Sequence, residues 1–147
     1  MKFSLIIDKE SEEQITVTAH ERSPLVDRIE ALVMADARPD RIAAYAEDEM
    51  RILQFSDIEC ITVLDGKTHA IAAGGAQYRL KQRLYELEPL LPDHFIRINK
   101  SSFANETHLQ KFTASFSGAV DAVFRSGYRE YVSRRCFAAI KRRYDEL

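Results

Sequence analysis

Two stretches of the chain gather polar side chains of the kinds that read nucleic acid. In Phe95-Ile96-Arg97-Ile98-Asn99-Lys100-Ser101-Ser102-Phe103-Ala104-Asn105, an alternating apolar pattern runs into a cluster of Asn, Lys and Ser. In Tyr131-Val132-Ser133-Arg134-Arg135-Cys136-Phe137, a strand-like end runs into a basic helix start. Arg forks onto a guanine edge, Asn pairs with adenine, and Lys and Ser hold phosphate oxygens. The same residues also read as a strand end, an N-cap serine and solvated arginines. Residue types alone leave both readings open.

Signals for catalysis or metal binding are weaker. His20, His69, His94 and His108 show none of the spacings that a zinc site uses. No glycine-rich stretch has a phosphate-loop or dinucleotide fingerprint, and Gly74-Gly75 reads as a hairpin turn. Asp93-His94 is half of an acid–base pair at most, and after Pro92 it reads equally as the lead-in to a strand. Cys60 lies in an apolar run and reads as a small buried hydrophobe. Cys136, behind Arg134 and Arg135, has the more electropositive setting of the two thiols. No enzyme, cofactor, metal or small-molecule substrate is expected.

The elements that must carry these segments follow from pattern. Residues 2–7 and 14–19 alternate like strands, and Ser23-Pro24 then opens a helix with Leu25, Ile29, Leu32 and Val33 on one face. Pro39 ends that helix, so residues 37–41 are the best boundary. Strands are expected at 41–45 and 50–55. A hairpin over Cys60–Leu64 and Thr68–Ala73 turns at Asp65-Gly66. Leu80, Leu84, Leu87 and Leu91 predict one helix ending near Pro92. Further strands are expected at 95–98, 109–116, 120–124 and 128–132. A last helix then carries Phe137, Ile140 and Tyr144 on one face and Lys141, Arg142 and Arg143 on the other.

Composition fits this picture. The 147 residues are 46% hydrophobic and 30% charged, enough apolar mass for an ordered domain. The net charge is −2, but residues 1–60 hold 7 Lys/Arg against 14 Asp/Glu while residues 61–147 hold 14 against 9. The basic surplus therefore falls in the half with the two polar segments. No stretch approaches the roughly 18 apolar residues of a membrane span. Met1 to Asp8 lacks the length and cleavage site of a signal peptide, so a cytoplasmic protein is expected. Phe3-Ser4-Leu5-Ile6-Ile7-Asp8 looks like the first strand of a phosphoacceptor receiver domain, but the pattern changes at Pro39, too soon for a domain of about 100 residues.

Phe95 to Asn105 and Val132 to Lys141, with the Asp65-Gly66-Lys67 hairpin and Leu84-Tyr85-Glu86-Leu87-Glu88 in order before them, resemble the LytTR family of bacterial DNA-binding domains. The resemblance covers roughly residues 41–147. Residues 1–40 resemble the extension of short members without a receiver domain. It implies an α+β, β-rich fold: an elongated stack of small, mostly antiparallel sheets, here with an N-terminal strand-strand-helix extension. It also implies contact with DNA through three segments: Lys67, Thr68 and His69; Arg97, Asn99, Lys100 and Ser101; and Ser133, Arg134 and Arg135. Lys100 and Arg135 fall at the base-reading positions. Arg97 reads equally as a structural arginine of the sheet. Where the family often has Glu-Ser in the hairpin this chain has Thr62-Val63, which makes the first segment the least secure.

The resulting expectation is a sequence-specific regulator on double-stranded DNA, self-associating on short direct repeats. The domains are 1–40, the extension, and 41–147, the DNA-binding domain. The resemblance further implies a small integral membrane protein as regulatory neighbour. The alternative is an interaction module of the same scaffold that docks to such a membrane partner. A small enzyme using Asp93 and His94 comes third.

Overall fold

Ser23 caps the first helix, α1 (Pro24–Ala37), accepting at Oγ from the Val26 N–H at 3.3 Å. The helix stops two residues before Pro39, which cannot donate to it. The computed structural model describes residues 1–146. It separates into two units, Met1–Met34 and the chain from Ala35 onward. In the first unit, residues 2–7 and 14–19 form no ladder, contrary to the strands their alternation predicts. They have the side-chain pattern of strands but no neighbour to supply the hydrogen bonds.

The second unit is β-rich. Its strands are β1 (Arg41–Ala46), β2 (Glu49–Gln54), β3 (Ile58–Leu64), β4 (Lys67–Ala72), β5 (Gln77–Arg79), β6 (Phe95–Asn99), β7 (Ser102–Asn105), β8 (Leu109–Ala114), β9 (Val120–Phe124) and β10 (Arg129–Val132). Seven form one sheet in the order β2-β1-β5-β4-β3-β7-β6, and three form a second in the order β10-β9-β8. The strand pairs are antiparallel. The β3–β4 turn is fixed by Asp65 and Gly66, both at positive φ (52° and 76°), the pairing a two-residue hairpin needs.

Alternation divides the large sheet's side chains between two cores. Phe55, Ile58, Ile61, Leu87, Phe95 and Phe103 fill one. Cys60, Ile96, Ile98, Ala104, Phe124 and Val132 fill the other, which α3 (Arg134–Asp145) closes with Ile140. β3 is buried along most of its length because it faces both cores.

The leucine stripe from Leu80 to Leu91 is not one helix. α2 spans only Leu84–Leu87, followed by a 3-10 turn over Glu88–Leu90. Pro89 has no N–H to continue the helix, so the chain tightens and leaves. Leu80, Leu87 and Leu91 are still buried. The apolar positions were legible; their conformation was not.

Candidate nucleic-acid interface

A bulge between Arg97 and Asn99 shifts the β6–β7 register and leads into the Lys100-Ser101 turn. Arg97 braces that turn from inside, donating from Nε to the Asn99 carbonyl (3.1 Å) and from Nη2 to the Lys100 carbonyl (2.8 Å). Its guanidinium lies 4.7 Å from the Phe103 ring centroid, and Nη1 is 3.8 Å from Glu88. Asn99 is buried, and both ends of its amide are used. Oδ1 accepts from the Ser101 N–H at 2.7 Å and Nδ2 donates to the Tyr131 carbonyl at 2.6 Å. Lys100 is exposed and Ser101 half-buried.

The second segment is hydrogen-bonded to the first. The Ser133 N–H donates to the Ile98 carbonyl at 2.8 Å, and Ser133 Oγ caps α3 by accepting from the Cys136 N–H at 3.2 Å. Arg134 and Arg135 follow in the first turn and are exposed. The free N–H groups and positive dipole end of this 12-residue helix add to their charge.

The hairpin segment joins from the other side. The Val63 N–H donates to the Ser101 carbonyl at 3.0 Å, and Val63 pairs with Thr68. Lys67 is exposed. Thr68 is buried within the sheet, and His69 Nδ1 donates to the Lys67 carbonyl at 3.0 Å. One lateral series of backbone and amide hydrogen bonds thus connects all three segments. Among the described residues no carboxylate pairs with Lys67, Lys100, Arg134 or Arg135, whereas Arg97 already faces Glu88.

Behind this row lies a polar brace that residue patterns did not single out. Glu130 Oε1 accepts from Thr62 Oγ1 (2.9 Å) and Ser102 Oγ (2.6 Å), and Oε2 accepts from the Tyr128 hydroxyl (2.9 Å). Burial, then the Glu130 carboxylate, push the Tyr128 hydroxyl well above its ordinary value. One residue of the small sheet thereby grips two strands of the large one. Thr62, at the position where the hairpin departs from the family pattern, was the available clue. A second buried carboxylate, Glu59, accepts from the Ser126 N–H at 3.2 Å and from the Ser126 hydroxyl. Asp93 is engaged by Arg38 at 2.6 Å, and His94 lies against the Phe95 ring, so the two do not form an acid–base pair.

What emerges is a β-rich domain that presents free cations and polar turns from strand ends and one helix start. Among the described residues no two α-helices are joined by a short turn, unlike a helix-turn-helix. Residues 48–145 match the LytTr DNA-binding domain model. Curated relatives described as uncharacterized HTH-type transcriptional regulators, from Staphylococcus aureus strains MSSA476 and MW2, are 33% identical over 144 residues. The match covers 97% of this chain and 97% of each relative. A solved LytTr DNA-binding domain from Bacillus cereus shares the fold, with a TM-score of 0.63 at 24% identity over 71% of this chain and 95% of its own. The chain belongs to the LytTR family of DNA-binding domains, which is not an enzyme class. No helix among the described residues is long and apolar enough to cross a membrane.

Proposed function

We propose that this protein is a cytoplasmic, sequence-specific transcriptional regulator without catalytic activity, binding short direct repeats in double-stranded DNA and self-associating there. Residues 41–147 read the DNA and residues 1–40 are an extension. The observation that carries this reading is the lateral hydrogen-bonded series from Thr68 through Val63, Ser101 and Asn99 to Tyr131, with Ser133 tied to Ile98 beside it. It makes one continuous edge from three segments that are far apart in sequence.

Along this edge the roles divide by what each side chain is already doing. Lys100, Ser101 and Arg135 are the readers of bases, because turn and helix start leave them reachable. Lys67, Arg134 and Ser133 hold phosphate, as does His69 at the hairpin rim. Arg97, Asn99 and Thr68 position the edge, their polar atoms or backbone being engaged within the domain.

Selection of bound duplexes from a random library tests the reading. Enrichment of paired motifs in the same orientation supports it. Uniform recovery, with no steep loss of affinity as salt rises, defeats it, because phosphate contacts impose that salt dependence.

A further inference from the structure

Residues 1–34 hold apolar surface that they cannot bury themselves. Eleven large apolar side chains there are exposed, against six in the rest of the described chain; Phe3 is 90% exposed, Ile6 82% and Leu32 73%. No residue of α1 is buried. Asp8 closes a local turn between the two strand-patterned stretches, accepting from the Glu10 N–H at 3.0 Å and the Ser11 hydroxyl at 2.6 Å. Both stretches nevertheless lack ladder partners. A segment below about 40 residues rarely sustains a core alone. The relatives match over 97% of this chain, so they carry a counterpart of most of this unit.

We propose that residues 1–34 form the contact through which two copies of this chain pair in solution, before DNA is bound. At roughly 100 Å² of apolar surface per side chain, the eleven offer on the order of 1,000 Å². Each partner in a standard interface buries about 800 Å², so the unit holds enough exposed apolar surface to supply one side of such a contact.

The unit also offers what a second copy needs: an amphipathic helix and unpaired strand backbone, each matched by the same element in the partner. Its charge argues against the other surfaces in reach. Residues 1–34 hold 7 Asp/Glu against 4 Lys/Arg, and Arg22 is already engaged by Asp27 and Glu30, so DNA and anionic lipid are repelled. The contact concerns this unit alone and sets no orientation for the DNA-reading residues. It goes beyond the regulatory reading and holds or fails separately from it.

The test is the mass of the full chain in solution by sedimentation at micromolar concentration, for the wild type and for Ile6→Glu and Leu32→Glu. Both positions are exposed in the single chain and lie outside every ladder, so the fold from Ala35 onward is unaffected, as near-ultraviolet circular dichroism will verify. The wild type is expected to be a dimer, with each variant raising the dissociation constant about 100-fold or more. A monomeric wild type, or a dimer indifferent to both substitutions, overturns the proposal. So does a monomer that binds zwitterionic vesicles through this unit, which would assign the surface to a membrane. Affinity for a single half-site is measured alongside. Its loss in a wild-type dimer would sink the DNA reading and leave the pairing standing.

Discussion

The Asn99 amide donates to the Tyr131 backbone carbonyl at 2.6 Å across 32 residues of sequence, while its own oxygen receives the Ser101 N–H. This one side chain fixes the β6–β7 turn against the strand that delivers Ser133, Arg134 and Arg135. A polar residue of a type that pairs with adenine is here committed inside the protein. Its geometry makes the polar turn and the basic helix start one surface.

Asn99→Ala leaves the Tyr131 carbonyl and the Ser101 N–H without their side-chain partner in a half-buried setting. The expected cost is about 1–3 kcal/mol of stability, read from urea unfolding. DNA affinity should fall for all sequences alike, since the variant loosens the edge and removes no reader. Selection of bound sequences by Asn99→Ala should return an unaltered motif. A changed base at one position would make Asn99 a reader instead.

The Tyr128–Glu130 contact predicts a pH effect with a definite sign. The folded state holds the Tyr128 hydroxyl above its unfolded value of 10.0, first through burial and then through the hydrogen bond to Glu130. Its contribution to stability is therefore complete below pH 10.0 and is lost as pH rises past that value, because the unfolded chain releases the proton first. Tyr128→Phe should be less stable than wild type near neutral pH, by about 1.5–3 kcal/mol for one hydrogen bond to a charged acceptor. Urea midpoints taken in neutral and strongly alkaline buffer should show the gap narrowing. A gap that stays constant would mean that the phenol does not titrate differently on folding.

What was legible in the residues, and what was not, divides along the range of the causes. Asp65-Gly66 announces its hairpin because two adjacent residues suffice to set the positive φ values. Ser23-Pro24 announces a helix start for the same local reason. β7 was not legible. Its inward polar residues Ser102 and Asn105 look wrong for a buried strand until Glu130 and the Ile58 carbonyl supply their partners from afar. Asn99 and Arg97 show the same limit within the site. The resemblance put Asn99 among the DNA contacts and left Arg97 open between a contact and a structural arginine; backbone carbonyls at Tyr131, Asn99 and Lys100 take up their donors. The stretches at 2–7 and 14–19 show the opposite case, in which pattern promises strands and the single chain offers no ladder.

The two thiols should separate cleanly. Cys60 has no exposed surface, and burial, then the nearby Glu130 and Glu59, raise its thiol well above 9.0. Cys136 is only partly covered. An aromatic disulfide reagent should therefore titrate one thiol in the native protein and both in denaturant, since the thiolate is the reacting form. Rapid labelling of Cys60 in native buffer would show that the core it shares with Ile98 and Phe124 opens far more readily than its packing implies.

Arg135 and Lys67 occupy the two ends of the hydrogen-bonded row and should fail in different ways when truncated. Arg135 sits in the first turn of α3, exposed and, among the described residues, without a carboxylate partner, as the proposed base contact requires. If it forks onto a guanine, Arg135→Ala costs about 1–3 kcal/mol on the selected duplex and relaxes preference at one base pair per half-site. Lys67 begins β4 beside the Asp65-Gly66 turn, exposed and, among the described residues, without a carboxylate partner, and suits a phosphate. Lys67→Ala should weaken selected and random duplexes nearly equally and reduce the salt slope by about one unit. Neither side chain belongs to a core, so both variants should unfold at the wild-type midpoint. Binding isotherms on both duplexes, at several salt concentrations, decide the assignment. Equal losses on selected and random DNA for Arg135→Ala would make it a phosphate holder and move base reading to the Lys100-Ser101 turn.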